Sequence, residues 1–231
     1  PVYEDILAGA ALFLKDGCDF LLSVGGGSAI DVAKCVNLHA GGEDGRVRCR
    51  HLAVPTTAGT GSEATHFAVM YKNGEKQSVA DKGLLPDFVI LDPHFLRSLP
   101  EYQKKATMMD ALCQAAESYW SVRADEESRG YAARAVGLIL PNIDAYFSGD
   151  EPALPAMMEA AHESGKAINI SQTTAAHAMS YKLSSLLSIA HGHAVALCLP
   201  GVMRHMADAK NPYFPGLCAL FGVKDLRALA D

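Results

Sequence analysis

The apolar positions change period several times along the first hundred residues, and those changes mark the elements. From residue 3 to 16 they recur at helical spacing (Ile6, Leu7, Ala10, Leu12, Phe13, Leu14), and Gly17 follows where a helix C-cap belongs. Phe20 to Val24 is a short apolar run that predicts a buried strand. Ala29 to Leu38 predicts a helix, and His51 to Val54 a second short strand. Phe67 to Tyr71 alternates like a strand, Asn73-Gly74 marks a turn, and Phe88 to Leu91 predicts a further strand closed by Asp92-Pro93. After Pro100 the strand signals stop. Residues 101–122, 126–147, 154–170 and two segments between Thr173 and Met206 all read as helices. The pattern predicts an α/β domain over residues 1–99 followed by an all-α domain over residues 100–231.

The two segments between Thr173 and Met206 have too few polar residues to cover a solvated face, so both read as mostly buried. They carry His177 and His191, with a short break from Ser188 to Ala190 between them. A buried imidazole needs a hydrogen-bond partner or a metal. Upstream, MMDALCQAAESYW puts Asp110 and Gln114 four residues apart on one helix face, and Glu117 can share it. A carboxylate among Met108, Met109, Ala111 and Leu112 is costly to bury unless it is paired or bound to a metal. An exposed Asp on an amphipathic helix is the plain alternative; the two histidines downstream favour a metal ligand.

Composition narrows the class. The chain has 231 residues, 49% hydrophobic and 20% charged, with a net charge of -6, an ordinary globular balance. Its Lys and Arg residues are scattered, which argues against a nucleic-acid partner. The six cysteines show no CxxC pairing and mostly sit in apolar runs, as buried thiols do in a reducing compartment; the cytoplasm is the expected location. No run approaches the length of a membrane span, and no signal peptide is visible. The chain begins at Pro1 inside one helical pattern and ends inside another, so a piece of a longer protein is expected.

Two loops carry the remaining chemistry. Gly25, Gly26, Gly27 and Ser28 stand between a strand and a helix, where backbone N–H groups and a helix N-terminus can meet a phosphate. Ile30 occupies the place of the last glycine in GxGxxG, so the ordinary dinucleotide fingerprint is absent, and GGGS alone also serves as a tight turn. The second loop, PTTAGTGSEAT from Pro55, offers the hydroxyls of Thr56, Thr57, Thr60 and Ser62 for phosphate and ribose oxygens. Two such loops after consecutive strands suit a ligand across the carboxyl edge of a parallel sheet.

Taken in order, GGGSAIDVAK, VPTTAGTGSEAT, PDFVILDP, DALCQAAESY and the two His segments resemble the iron-containing (group III) alcohol dehydrogenase family. The resemblance implies an α/β nucleotide-binding domain followed by an all-helical domain, the architecture shared with dehydroquinate synthase. It implies NAD(H) or NADP(H) and a divalent metal, Fe2+ or Zn2+, as cofactors, and a homodimer. Relative to the family, the chain lacks the first βα units, with the acidic residue that contacts the adenosine ribose, and the last helices. Carried over by residue, Gly25, Gly26, Gly27 and Ser28 match the loop that holds the cofactor pyrophosphate. Thr56, Thr57, Thr60 and Ser62 match the loop around the nicotinamide half. Asp110, His177 and His191 match three metal ligands.

Two positions depart from the family. The fourth ligand, normally His, is Gln114, whose amide oxygen is a weaker and harder donor. A further family His near the nicotinamide is Tyr181 here. His193 is a second candidate, beside Tyr181, for proton transfer, and family register argues against it as a ligand. Lys182, a cation on an apolar helix, suits a substrate with an anionic group and reads equally as a snorkelling surface lysine. The combination DALCQ, HAMSYKL and HGHAVAL resembles the phosphonoacetaldehyde reductase subgroup. The expected activity is NAD(P)H-linked reduction of a small aldehyde, with phosphonoacetaldehyde and 2-hydroxyethylphosphonate as the specific pair. A dehydroquinate-synthase-type lyase and a metal-free nucleotide-binding protein are the alternatives.

Overall fold

Apolar runs alternating with glycine turns build a small parallel sheet in the first part of the chain, and the computed structural model describes residues 1–41 and 49–231. Two units emerge, residues 1–57 with 62–92, and residues 58–61 with 93–231.

The first unit begins with α1 (Tyr3–Lys15), β1 (Phe20–Gly25), α2 (Gly27–Ala40) and β2 (Arg50–Pro55). The hairpin β3 (Phe67–Lys72) and β4 (Glu75–Ala80) follows, and then β5 (Phe88–Val89). The parallel sheet has the order β1-β2-β5, with Phe20 opposite Arg50 and Leu52 opposite Phe88. Ile6, Ala10 and Phe13, at helical spacing on α1, pack with Cys35, Val36 and Ala40 of α2 and with Ala68 and Met70 of β3. Asn73 and Gly74 both take positive φ, 54° and 78°, as the tight hairpin turn requires. β4 was not legible in the sequence: EKQSVA is polar, because this strand is half solvated.

β1 departs from the expected buried strand. Phe20, Leu22 and Val24 are 46%, 56% and 51% exposed, all on one face, with Phe88 and Ile90 also exposed. Side chains alternate across a strand, so covering one face leaves every second residue in water. α2 packs on β1, and Ser23 on the alternate face is buried.

Two polar knots fasten this unit. The Lys34 ammonium is buried and donates to the carbonyls of Ser62 at 2.5 Å, Thr65 at 2.7 Å and Phe67 at 2.7 Å. Its three protons are thus matched by three close carbonyls. Burial pushes Lys34 down to about 8, which leaves it charged at neutral pH. Asp31, one helical turn earlier, accepts from Ser62 Oγ at 2.6 Å and from Val69 N at 3.0 Å.

The second knot is His51, whose Nε2 lies 2.7 Å from Ser23 Oγ and whose backbone N–H donates to Asp87. Burial, and then the Lys34 charge, lowers His51 from the ordinary 6.5 to about 4. Between those values the unfolded chain binds more protons than the folded one, so stability falls as pH drops through that window. A loss approaching about 3 kcal/mol is expected on acidification from pH 7 to pH 4. Urea denaturation at both pH values should show a smaller acid loss in His51→Gln; equal losses would dismiss His51 as the cause.

The second unit is helical from residue 101. It comprises α3 (Glu101–Trp120), α4 (Glu126–Ile139), α5 (Ile143–Ser148), α6 (Ala153–Ser171), α7 (Ala175–Leu187), α8 (His191–Met206), α9 (Phe214–Leu220) and α10 (Leu226–Ala230). Asp125 and Ser128 form a reciprocal capping box at the start of α4. The single helix expected over residues 126–147 breaks instead at Leu140–Asn142, because Pro141 lacks an N–H and disfavours helical backbone before it. α3 packs against α4, α6 and α8, which its small residues Ala111, Ala115 and Ala116 permit. Its Cys113, Ala116 and Trp120 join Val195, Leu199, Val202 and Phe214 in the main helical core. Among the described residues no helix is long and apolar enough to cross a membrane.

Candidate metal centre and nucleotide loops

One polar seam runs inside the helical core. Asp110, Gln114 and Glu117 recur on α3 at intervals of four and three, which aligns them on one face, Ser121 follows as the C-cap, and all four are buried. Burying such a seam is tolerable only if every group finds a partner, and each does. Ser121 donates to the Ser171 carbonyl at 2.8 Å. Gln114 meets Ser164 of α6, with Oγ to Oε1 at 2.9 Å, and its Nε2 faces the Thr60 carbonyl at 3.3 Å and Asp110 Oδ1 at 3.4 Å.

Glu117 serves three partners at the start of α7. Its carboxylate accepts from Ala176 N at 2.9 Å and from Thr174 Oγ1 at 2.5 Å, so α3 supplies the acid that caps the α7 N-terminus. Its other oxygen holds His177 Nδ1. Burial acts to raise Glu117, yet these hydrogen bonds and the His177 charge outweigh it and hold the carboxyl below its usual range. Burial likewise acts to lower His177, and Asp110 and Glu117 outweigh it and lift the ring to about 9.

With Nδ1 on Glu117, His177 turns Nε2 toward Asp110 Oδ1, 3.4 Å away. His191 Nε2 stands 4.0 Å from the same oxygen. Gly192 is what lets α8 come this close: a Cβ there would meet the Ala106 carbonyl at 2.0 Å and Asp110 Cβ at 2.7 Å. Asp110, His177 and His191 thus place three donor atoms within 4.8 Å of one another. The separations are too long for good hydrogen bonds. Two donors bound to one zinc-sized ion at tetrahedral angles stand about 3.3 Å apart, which suits this spacing. One carboxylate and two imidazoles are a donor set for a divalent iron or zinc ion.

The structure separates the remaining helical candidates. Tyr181 stacks on His191, with centroids 6.0 Å apart and planes at 22°. His193 is two residues from His191 and so points to another side of α8; its Nδ1 lies 3.1 Å from the Tyr102 hydroxyl, away from the three donors. Lys182 is exposed on α7.

The nucleotide-loop candidates divide between the units. Gly25 ends β1 and Gly26 is the N-cap of α2, while Gly27 and Ser28 open that helix. Thr56 N donates to the Gly25 carbonyl at 3.0 Å, so the two loops meet at the carboxyl ends of adjacent strands. A Cβ on Gly26 would crowd Thr57 Cγ2 at 3.3 Å. Thr60 belongs to the second unit, and Gly61 beside it has φ +60° and would meet Gly165 Cα at 2.4 Å if it carried a Cβ. That glycine serves close packing on α6. The Ser62 hydroxyl is engaged by Asp31 and Lys34, which tie this loop to α2.

Comparison with known proteins follows the same division. The iron-containing alcohol dehydrogenase model matches residues 1–93, and the Fe-containing alcohol dehydrogenase C-terminal model matches residues 104–230. The chain is 36% identical over 228 residues to a phosphonoacetaldehyde reductase of Streptomyces viridochromogenes, covering 89% of this chain and 58% of that protein. Among solved structures, sulfoacetaldehyde reductase from Bifidobacterium kashiwanohense in complex with NAD+ matches with a TM-score of 0.92 at 32% identity. That match covers 100% of this chain and 66% of the other. An iron-containing alcohol dehydrogenase from Thermococcus thioreducens matches with a TM-score of 0.93 at 26% identity, with coverages of 100% and 66%. The chain therefore spans between half and two thirds of these relatives' length.

Proposed function

We propose, from the premise that this chain belongs to the iron-containing alcohol dehydrogenase family, that it interconverts a small aldehyde and its alcohol with NAD(P)(H) and a divalent metal. The observation that carries the proposal is the meeting of Asp110, His177 and His191 inside the helical unit. With Gln114 as the fourth donor, through its amide oxygen, these residues hold Fe2+ or Zn2+. The bound ion supplies Lewis acidity toward a carbonyl oxygen, and the nicotinamide supplies the hydride.

The chain's own residues do the rest. The loop from Gly25 to Ser28, with the N-terminus of α2 behind it, takes the pyrophosphate. Thr56 and Thr57 face the nicotinamide half, and Ser62 is held to α2 through Asp31 and Lys34. Tyr181, stacked on His191, delivers a proton from Oη to the product oxygen. Lys182, exposed at the next position of α7, pairs with an anionic substrate group. The relatives named as phosphonoacetaldehyde and sulfoacetaldehyde reductases support an aldehyde carrying such a group.

Metal analysis and NADH oxidation with phosphonoacetaldehyde and acetaldehyde side by side test this reading. Bound metal and a strong preference for the phosphonate are expected. Equal rates would remove the anion pocket, and no metal with no turnover would remove the enzyme.

Glu117 is a positioning residue in this account, since it fixes which His177 nitrogen faces the donors. Glu117→Gln is expected to weaken zinc roughly 10- to 100-fold, measured by chelator competition. Unchanged affinity would reduce Glu117 to a cap for α7.

A further inference from the structure

The hydrogen bonds around Gln114 do not all close with one amide orientation. Ser164 Oγ lies 2.9 Å from the Ala111 carbonyl and 2.9 Å from Gln114 Oε1, both acceptors. A hydroxyl has one proton, so only one of these bonds exists at a time. As the amide stands, its NH2 faces the Thr60 carbonyl and Asp110 Oδ1, two further acceptors.

The reversed amide changes both sides of this account. Its NH2 then donates to Ser164 Oγ, and Ser164 gives its single proton to Ala111, so two bonds form where one did before. The amide oxygen then faces both Asp110 Oδ1 and the Thr60 carbonyl, and these oxygens repel it unless a cation lies beside them. The position is right for a shared cation: this amide atom is 3.4 Å from Asp110 Oδ1, the same distance as His177 Nε2. Two bonds are given up, to Thr60 at 3.3 Å and to Asp110 Oδ1 at 3.4 Å, and both are long.

We infer that Gln114 is a two-position ligand, nitrogen toward Asp110 in the ion-free protein and oxygen toward the ion when one is held. Ser164 is the residue that makes the second position habitable, because it takes up the displaced NH2. The inference rests on the reading of Asp110, His177 and His191 as metal donors. It makes Ser164 a metal-affinity determinant that touches none of those three donors in any hydrogen bond described above.

Zinc affinity by competition with a chromophoric chelator tests it, on the wild type, Gln114→Leu, Ser164→Ala and Asp110→Asn. Gln114→Leu and Ser164→Ala are each expected to weaken zinc roughly 10-fold or more, and Asp110→Asn to lose it. Zinc bound by Gln114→Leu as tightly as by the wild type, with Asp110→Asn binding none, would overturn the two-position ligand and leave a three-donor site. Weakening in Gln114→Leu without weakening in Ser164→Ala would overturn the turning of the amide. A wild type that binds no zinc would overturn both this inference and the reading beneath it. Side-chain amide NMR on the wild type checks the same point without a core substitution. The Gln114 resonance pair, assigned by its absence in Gln114→Leu, should move in proportion to bound zinc. Resonances that stay fixed at saturation would also overturn it.

Discussion

Asp110→Asn is expected to give a folded protein that holds no metal and turns over no aldehyde. Asp110 supplies the one formal negative charge in the donor group, beside two imidazoles, which must be deprotonated to bind an ion, and an amide. Asn keeps the volume and removes the charge, and a neutral oxygen is a poor substitute for a carboxylate toward a divalent ion. The loss of affinity should exceed the roughly 100-fold that an outer-shell substitution reaches. The fold should survive, because the packing that positions α3 comes from Cys113, Ala116 and Trp120. Metal content by mass spectrometry after dialysis, with circular dichroism on the same sample, checks both halves. Metal retained at the wild-type ratio would refute the assignment of Asp110 as a ligand.

Lys34→Met is expected to have the largest effect on stability, about 3 to 5 kcal/mol. Methionine fills most of the buried volume, yet it leaves the carbonyls of Ser62, Thr65 and Phe67 without their donor. It also leaves the half-buried Asp31 carboxylate without the neighbouring cation. Adding Asp31→Asn removes that uncompensated charge, so the double variant should be less destabilised than the sum of the singles by about 0.5 to 3 kcal/mol. Urea midpoints of the four proteins measure the cycle. A cost under about 1 kcal/mol for Lys34→Met would mean that water or local rearrangement satisfies those carbonyls.

The positions of most elements were legible because their periods are. α1, the β1 and β2 runs, α3 and α6 lie within a few residues of where apolar spacing puts them. The failures have local causes. β4 is polar along its length, and Pro141 divides a stretch whose apolar pattern runs on. The histidines and Asp110 were visible as costly residues in apolar company. Glu117 was visible only as a neighbour on the same face, and Ser164 and Gly192 not at all, because each depends on an element far away in sequence.

By itself the sequence determined the order of most elements up to Met206, the α/β-then-α division and the family, since those rest on periodicity and on motifs read within one stretch. The tertiary structure decided the rest. It brought an oxygen from α3 and nitrogens from α7 and α8 within 4.8 Å, and it turned His193 to Tyr102 rather than to that group. It tied the Ser62 hydroxyl to Asp31 and Lys34 and set Gly61 in close packing on α6. The reason is that a side chain's partner is chosen by helix packing. Crossing position and the clearance of single glycines set which groups meet, and neither is written in the spacing of one segment.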